Sequence, residues 1–88
     1  MPRYFFNMLA GEATSDDEGA ELADIEAARI EAMCFTGQML RDDPRSFWQH
    51  PEWQLTVTDE TGLSLFSIHV LAVDAPVLQA EIIPRNPA

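Results

Sequence analysis

The stretch from Trp53 to Val73 most narrows what this chain can become. Trp53, Leu55 and Val57 alternate with Gln54, Thr56 and Thr58, the period-two pattern of a strand with one buried face. Asp59-Glu60-Thr61-Gly62 follows, with a glycine available for positive φ, and reads as a hairpin turn. The chain then returns through Leu63–Val73, its most apolar run, which brings Phe66, Ile68 and Val70 to one side. An antiparallel hairpin with one apolar face is the expectation.

A helix is available to cover that face. Asp24 is a good N-cap and Glu26 places an acid in the first turn, where the helix dipole favours it. The helix should end near Arg41 or Asp42, because the residue before Pro44 avoids helical backbone. Ile25, Ala28, Ala32, Phe35 and Met39, with Leu40 at the margin, share one face at helical spacing. Ile30, Met33, Cys34 and Gly37 make a second stripe that a helix with its back to water does not need. A C-terminal segment of the chain or another subunit is expected to cover it.

Upstream, Arg3–Leu9 is aromatic-rich and stops at Ala10-Gly11, which reads as a strand closed by a turn. Glu12–Ala23 is acidic and broken by Gly19. It reads as a loop, with a short extended stretch around Ala13–Asp16 pairing back on the first strand. Residues 45–52 read as an aromatic loop. The fold class is α+β, in the order β-(β)-α-β-β: a three- to four-stranded, mostly antiparallel sheet with one long helix on a face. A right-handed crossover would leave the first strand parallel to Trp53–Asp59, with the apolar return strand between them, order 1-3-2. Residues 1–73 form a single domain on this reading. In 74–88, Val77–Ile83 suits a further strand or docking segment, and Pro84–Ala88 a tail.

Met1-Pro2-Arg3-Tyr4-Phe5-Phe6, Asp17-Glu18-Gly19-x-Glu21-Leu22-x-Asp24, the helix start Glu26-Ala27-Ala28-Arg29-x-Glu31-Ala32, and Val57-Thr58-Asp59-Glu60-x-Gly62 occur together. In that combination the chain resembles a family of small uncharacterised bacterial proteins, common in alphaproteobacteria and classed as a domain of unknown function. The resemblance covers about residues 1–72. Members often carry His or Asp at the position of Asn7 and Pro at that of Ala23. The resemblance supports the fold and implies no catalytic role.

Charge limits the partners. The net charge is −10, all five basic residues are arginine, and Glu12–Glu31 holds eight acids against Arg29 alone. Such a field disfavours nucleic acid and anionic membranes, which need a positive surface, and leaves a basic protein as a possible partner. The single cysteine rules out an internal disulfide. No apolar run approaches the roughly 20 residues that cross a bilayer, and nothing at the N-terminus reads as a signal peptide. A cytoplasmic protein is expected.

No catalytic constellation and no cofactor or metal motif stands out. The acids at 16–21 lack the alternating ligand spacing of a calcium loop. His50, His69 and Cys34 lack the short spacings of a zinc site. Arg29 is expected to pair with a nearby acid, Asp17, Glu18 or Glu26, and so hold the acidic loop over the helix. Phe47, Trp48 and Trp53, beside Pro44 and Pro51, could form part of an interaction surface with the stripe Ile30, Met33, Cys34 and Gly37. The first expectation is a non-enzymatic, homodimeric interaction or regulatory module with an acidic face. The alternative is a small-ligand-binding protein or minor enzyme using residues 47–53 with Arg29 or His69.

Overall fold

The structure is a computed structural model and describes residues 1–79. Five strands form one open antiparallel sheet: β1 (Arg3–Ala10), β2 (Glu12–Thr14), β3 (Ala20–Glu21), β4 (Glu52–Thr58) and β5 (Ser64–Leu71). Their order is β2-β1-β4-β5, with β3 sharing the outer edge of β1 beside β2. The helices are α1 (Ile25–Asp42), α2 (Pro44–Gln49) and α3 (Pro76–Gln79). The class is α+β, and the β4–β5 hairpin and α1 stand where their patterns predict.

The strand order departs from the expected 1-3-2. β1 lies directly beside β4 and antiparallel to it, with Asn7 opposite Thr56, and β5 is the edge. The reason lies in Glu12–Glu21, where the expected extended stretch does pair back on the first strand and a second pairing, through β3, follows it. Gly11, at φ +89, turns the chain back so that Ala13 pairs with Leu9 and Glu21 with Arg3. The Leu22 N–H then donates to the Pro2 carbonyl at 3.0 Å. The chain has thus regained the start of β1 before the helix begins. Eighteen helical residues rise about 27 Å and carry it to the far end, so β4 enters beside the end of β1 and runs against it.

The core is small. Tyr4, Trp53, Leu55 and Val57 from the sheet meet Ala28 and Ala32 from α1, with Leu55, Val57 and both alanines wholly buried. The alanines let the helix backbone sit close to the sheet. Each buried Leu or Val side chain is worth about 1.5–3 kcal/mol against exposure. Phe35, Met39 and Leu40 join at half burial. Ile25, expected in the stripe, remains 37 % exposed. Thr36 is buried instead, and its hydroxyl donates to the Ala32 carbonyl at 2.8 Å.

Two further segments differ from expectation. Residues 44–49 are helical: the Asp43 side chain accepts the Ser46 N–H at 3.2 Å, and Pro44 occupies the first turn. Proline stops one helix and starts the next, since its missing N–H is not needed there. Val77–Gln79 lies in the single turn of α3, not in a strand. Residues 80–83 of the expected docking segment, and Pro84–Ala88, lie outside the described residues.

Candidate functional site

The residues singled out from the sequence do not converge. Trp53 is core, 4 % exposed beneath α1, and is not part of an interaction surface. Phe47 packs half-buried against that core, while Trp48 stands 60 % exposed with its ring edge-on to Phe47 at 5.7 Å. His69 lies on the opposite, open face of the sheet, in the row with Leu65 and Ser67. Arg29 is exposed on α1. Residues 47–53 therefore make no shared pocket with Arg29 or His69.

The stripe Ile30, Met33, Cys34 and Gly37 faces outward, with Ile30 and Met33 each 59 % exposed. Arg29 does not fasten the acidic segment. Among the described residues the ion pair is Arg3 with Glu21, at 3.3 Å, and Arg3 also donates to the Glu18 carbonyl at 2.7 Å. β3 pairing brings Arg3 beside Glu21, whereas Arg29 lies one turn into α1 with its side chain exposed. Asp17 and Glu18 keep exposed side chains.

Asp16, not Asp17 or Glu18, organises the segment. Its carboxylate accepts the N–H groups of Phe6, Glu18 and Gly19, each at 3.1 Å. Its own N–H donates to the Asn7 side chain at 3.0 Å. Burial works against the charged form, but the Phe6, Gly19 and Glu18 N–H groups outweigh it and hold the Asp16 carboxyl below the ordinary aspartate value. On the open face the polar chain continues from Asn7 to Thr56 and Thr58, and from Thr56 to Gln54 and Ser67. No group of three His, Cys, Asp or Glu among the described residues is placed to hold a metal ion. None of the described helices is long and apolar enough to cross a membrane.

Two features remain that could receive a partner. The first is a groove between α1 and the β1–β2 edge, in two adjoining parts of about 350 and 370 Å³ that share Met8 and Thr14. It exists because α1 seats its alanines over Leu55 and Val57, leaving the helix-facing side of β1 only half covered. The second is the outer edge of β5. No strand pairs with it among the described residues, and Leu63–Val73 contains neither a charged residue nor a proline.

The register fixes what that edge offers. Opposed residues in an antiparallel pair alternate between bonded and non-bonded. The Phe6 N–H points away from β4, toward Asp16, so Asn7 bonds across to Thr56, and Leu55 in turn to Ile68 on β5. Ser67, His69 and Leu71 then direct their N–H and C=O groups outward, while a register shift leaves Leu65 without a partner on β4.

A family model described as Domain of unknown function (DUF6894) matches residues 3–72, from β1 through β5. No curated protein and no solved structure gives a match.

Proposed function

Because the chain belongs to the family described as Domain of unknown function (DUF6894), whose description assigns no chemistry, we propose a role from its surfaces: a non-catalytic interaction module that works as a homodimer joined through β5. The observation that carries this reading is the outer edge of β5. A long edge strand without charge, proline or cover is a template for another strand, and proteins that stay monomeric blunt such edges. Past the irregularity at Leu65, this one carries no charge or proline from Phe66 to Leu71, and among the described residues no strand pairs with its outer side.

Charge selects a second copy at this place. With a net charge of −10, two copies repel wherever their acidic surfaces meet. The uncharged strand is where they can approach. An antiparallel pairing with Ile68 on the two-fold axis sets Ser67 against the partner's His69 on either side of the axis. Outward bonding groups then meet outward bonding groups, and the two sheets join into one.

The test is the mass of the full chain by light scattering at micromolar concentration. Twice 9.9 kDa is expected, and a monomer overturns the dimer. Ser67→Pro removes an outward N–H without touching the β4 ladder, so it should give a folded monomer. Ile68→Cys in a Cys34→Ser background should cross-link to itself, because non-bonded opposed residues lie about 4.5 Å apart at Cα.

A further inference from the structure

We propose that the groove between α1 and the β1–β2 edge is the docking site for an extended basic segment of a partner protein, with apolar side chains alternating with arginine or lysine. This deepens the interaction-module reading by naming the partner's chemistry, yet it stands on a different surface from the β5 edge.

The floor of the groove is apolar. Phe6 and Met8 supply it from β1, and Phe35 and Met39 from α1. The Phe6 and Phe35 rings stand 6.5 Å apart between centroids, bridging sheet and helix, and both remain only half-buried. The floor therefore has apolar area still to lose to a ligand.

The rim has one sign. Asp16 and Glu31 border one part, and Glu12 and Asp43, with His50 beside them, the other, while among the described residues no arginine lines either part and the chain contains no lysine. Asp16 is fixed in place by the three N–H groups it accepts, so its charge is held at the rim without further ordering. Carboxylates around an apolar floor complement a ligand whose cations flank apolar side chains. An acidic or purely hydrophobic ligand leaves the rim unpaired.

Length points to an extended segment. From Glu31 to Asp43 the helix wall rises about 18 Å, which about six residues of extended chain would span. In such a chain alternate side chains point to opposite sides, so leucines can enter the floor while arginines reach the rim. The groove and the β5 edge lie at opposite sides of the sheet, so dimer formation leaves it open.

The experiment is a titration of the isotope-labelled full chain, followed by amide NMR, with a peptide of about eight residues alternating Arg and Leu. Two control peptides replace every Leu by Ser or every Arg by Glu. The expected result is saturable shifts at Phe6, Met8, Thr14 and Phe35, with both controls about tenfold weaker or worse. Glu12→Lys with Glu31→Lys, two exposed positions, should weaken the Arg–Leu peptide by about tenfold with an unchanged melting curve. Shifts confined to Glu18, Glu21 and Asp24, equal binding by the Ser peptide, or unchanged affinity in the double variant would each overturn the proposal. The mass measurement is independent: a dimer that ignores the peptide defeats the groove alone, and a monomer that binds it defeats the dimer alone.

Discussion

The backbone N–H of Asp16 donates to the Asn7 side chain at 3.0 Å, while the Asp16 carboxylate accepts the N–H of Phe6, the residue just before Asn7, at 3.1 Å. On the outer edge of β1, Tyr4 is paired with Ala20 and Met8 with Thr14. Phe6 falls in the gap between β3 and β2. A carboxylate takes the place of a strand there.

Replacing that carboxylate should cost stability out of proportion to its size. Asp16→Ala leaves three N–H groups without their acceptor, and a loss of about 1–3 kcal/mol is expected in urea unfolding. Asp16→Asn keeps one neutral acceptor and should lose less.

The same group should make folding acid-sensitive. Its folded-state pKa lies below the ordinary value, so its contribution is fully present above the unfolded pKa, near pH 4. It drains away as pH falls through the lower folded value. Unfolding free energy measured between pH 6 and pH 3 should fall less steeply in Asp16→Asn than in wild type.

Two glycines at positive φ should differ in their tolerance of alanine. Gly62, at φ +89 in the β4–β5 turn, has open space where an added methyl group would sit, so Gly62→Ala should cost about 1 kcal/mol from backbone conformation alone. At Gly19 a Cβ would also meet the Tyr4 carbonyl at 2.8 Å. Gly19→Ala should cost about 3 kcal/mol, and thermal melts would rank the two.

The helix–sheet contact should reject bulk. Ala28 and Ala32 are wholly buried, and Ala28→Leu must push α1 off the sheet, at about 1–3 kcal/mol. The outward stripe should behave in the opposite way. Ile30→Lys with Met33→Lys should stay within about 0.5 kcal/mol of wild type and leave the mass in light scattering unchanged.

Much of the fold was legible because its long elements carry strong periods. Trp53 through Thr58 alternates cleanly, and the turn after it works as its residues suggest: Asp59 accepts from the Thr61 and Leu63 N–H groups and from the Thr61 hydroxyl. Asp24 caps α1 through the Ala27 N–H at 2.9 Å. The stretch read around Ala13–Asp16 does pair back on β1, as β2, but β3 has only two residues and no period to read, so the return of the chain to the start of β1 was missed. The strand order failed at that point. β5 misled in another way, since its apolar content suited a central strand and it is an edge.

The candidate surfaces were less legible, because they depend on which elements become neighbours. Arg29 and Arg3 are equally charged in sequence, and only the β1–β3 pairing gives Arg3 an acid to meet. Trp53 looked like a surface aromatic when grouped with Phe47 and Trp48, although its own alternation with Leu55 and Val57 already placed it inside. The groove had no sequence signal of its own. It is the space left when a helix with small residues sits over β4.

The pairing of β1 with β4 also sets a timetable for synthesis. β1 ends at Ala10 and β4 begins at Glu52. At about 5–20 residues per second, the ribosome leaves β1 without its central neighbour for about 2–8 s. Its other edge does not wait: β2, the Asp16 carboxylate and β3 all arrive by Glu21. An aromatic-rich strand is thereby paired along one side, and screened there from other nascent chains, before the helix that will cover it has been made.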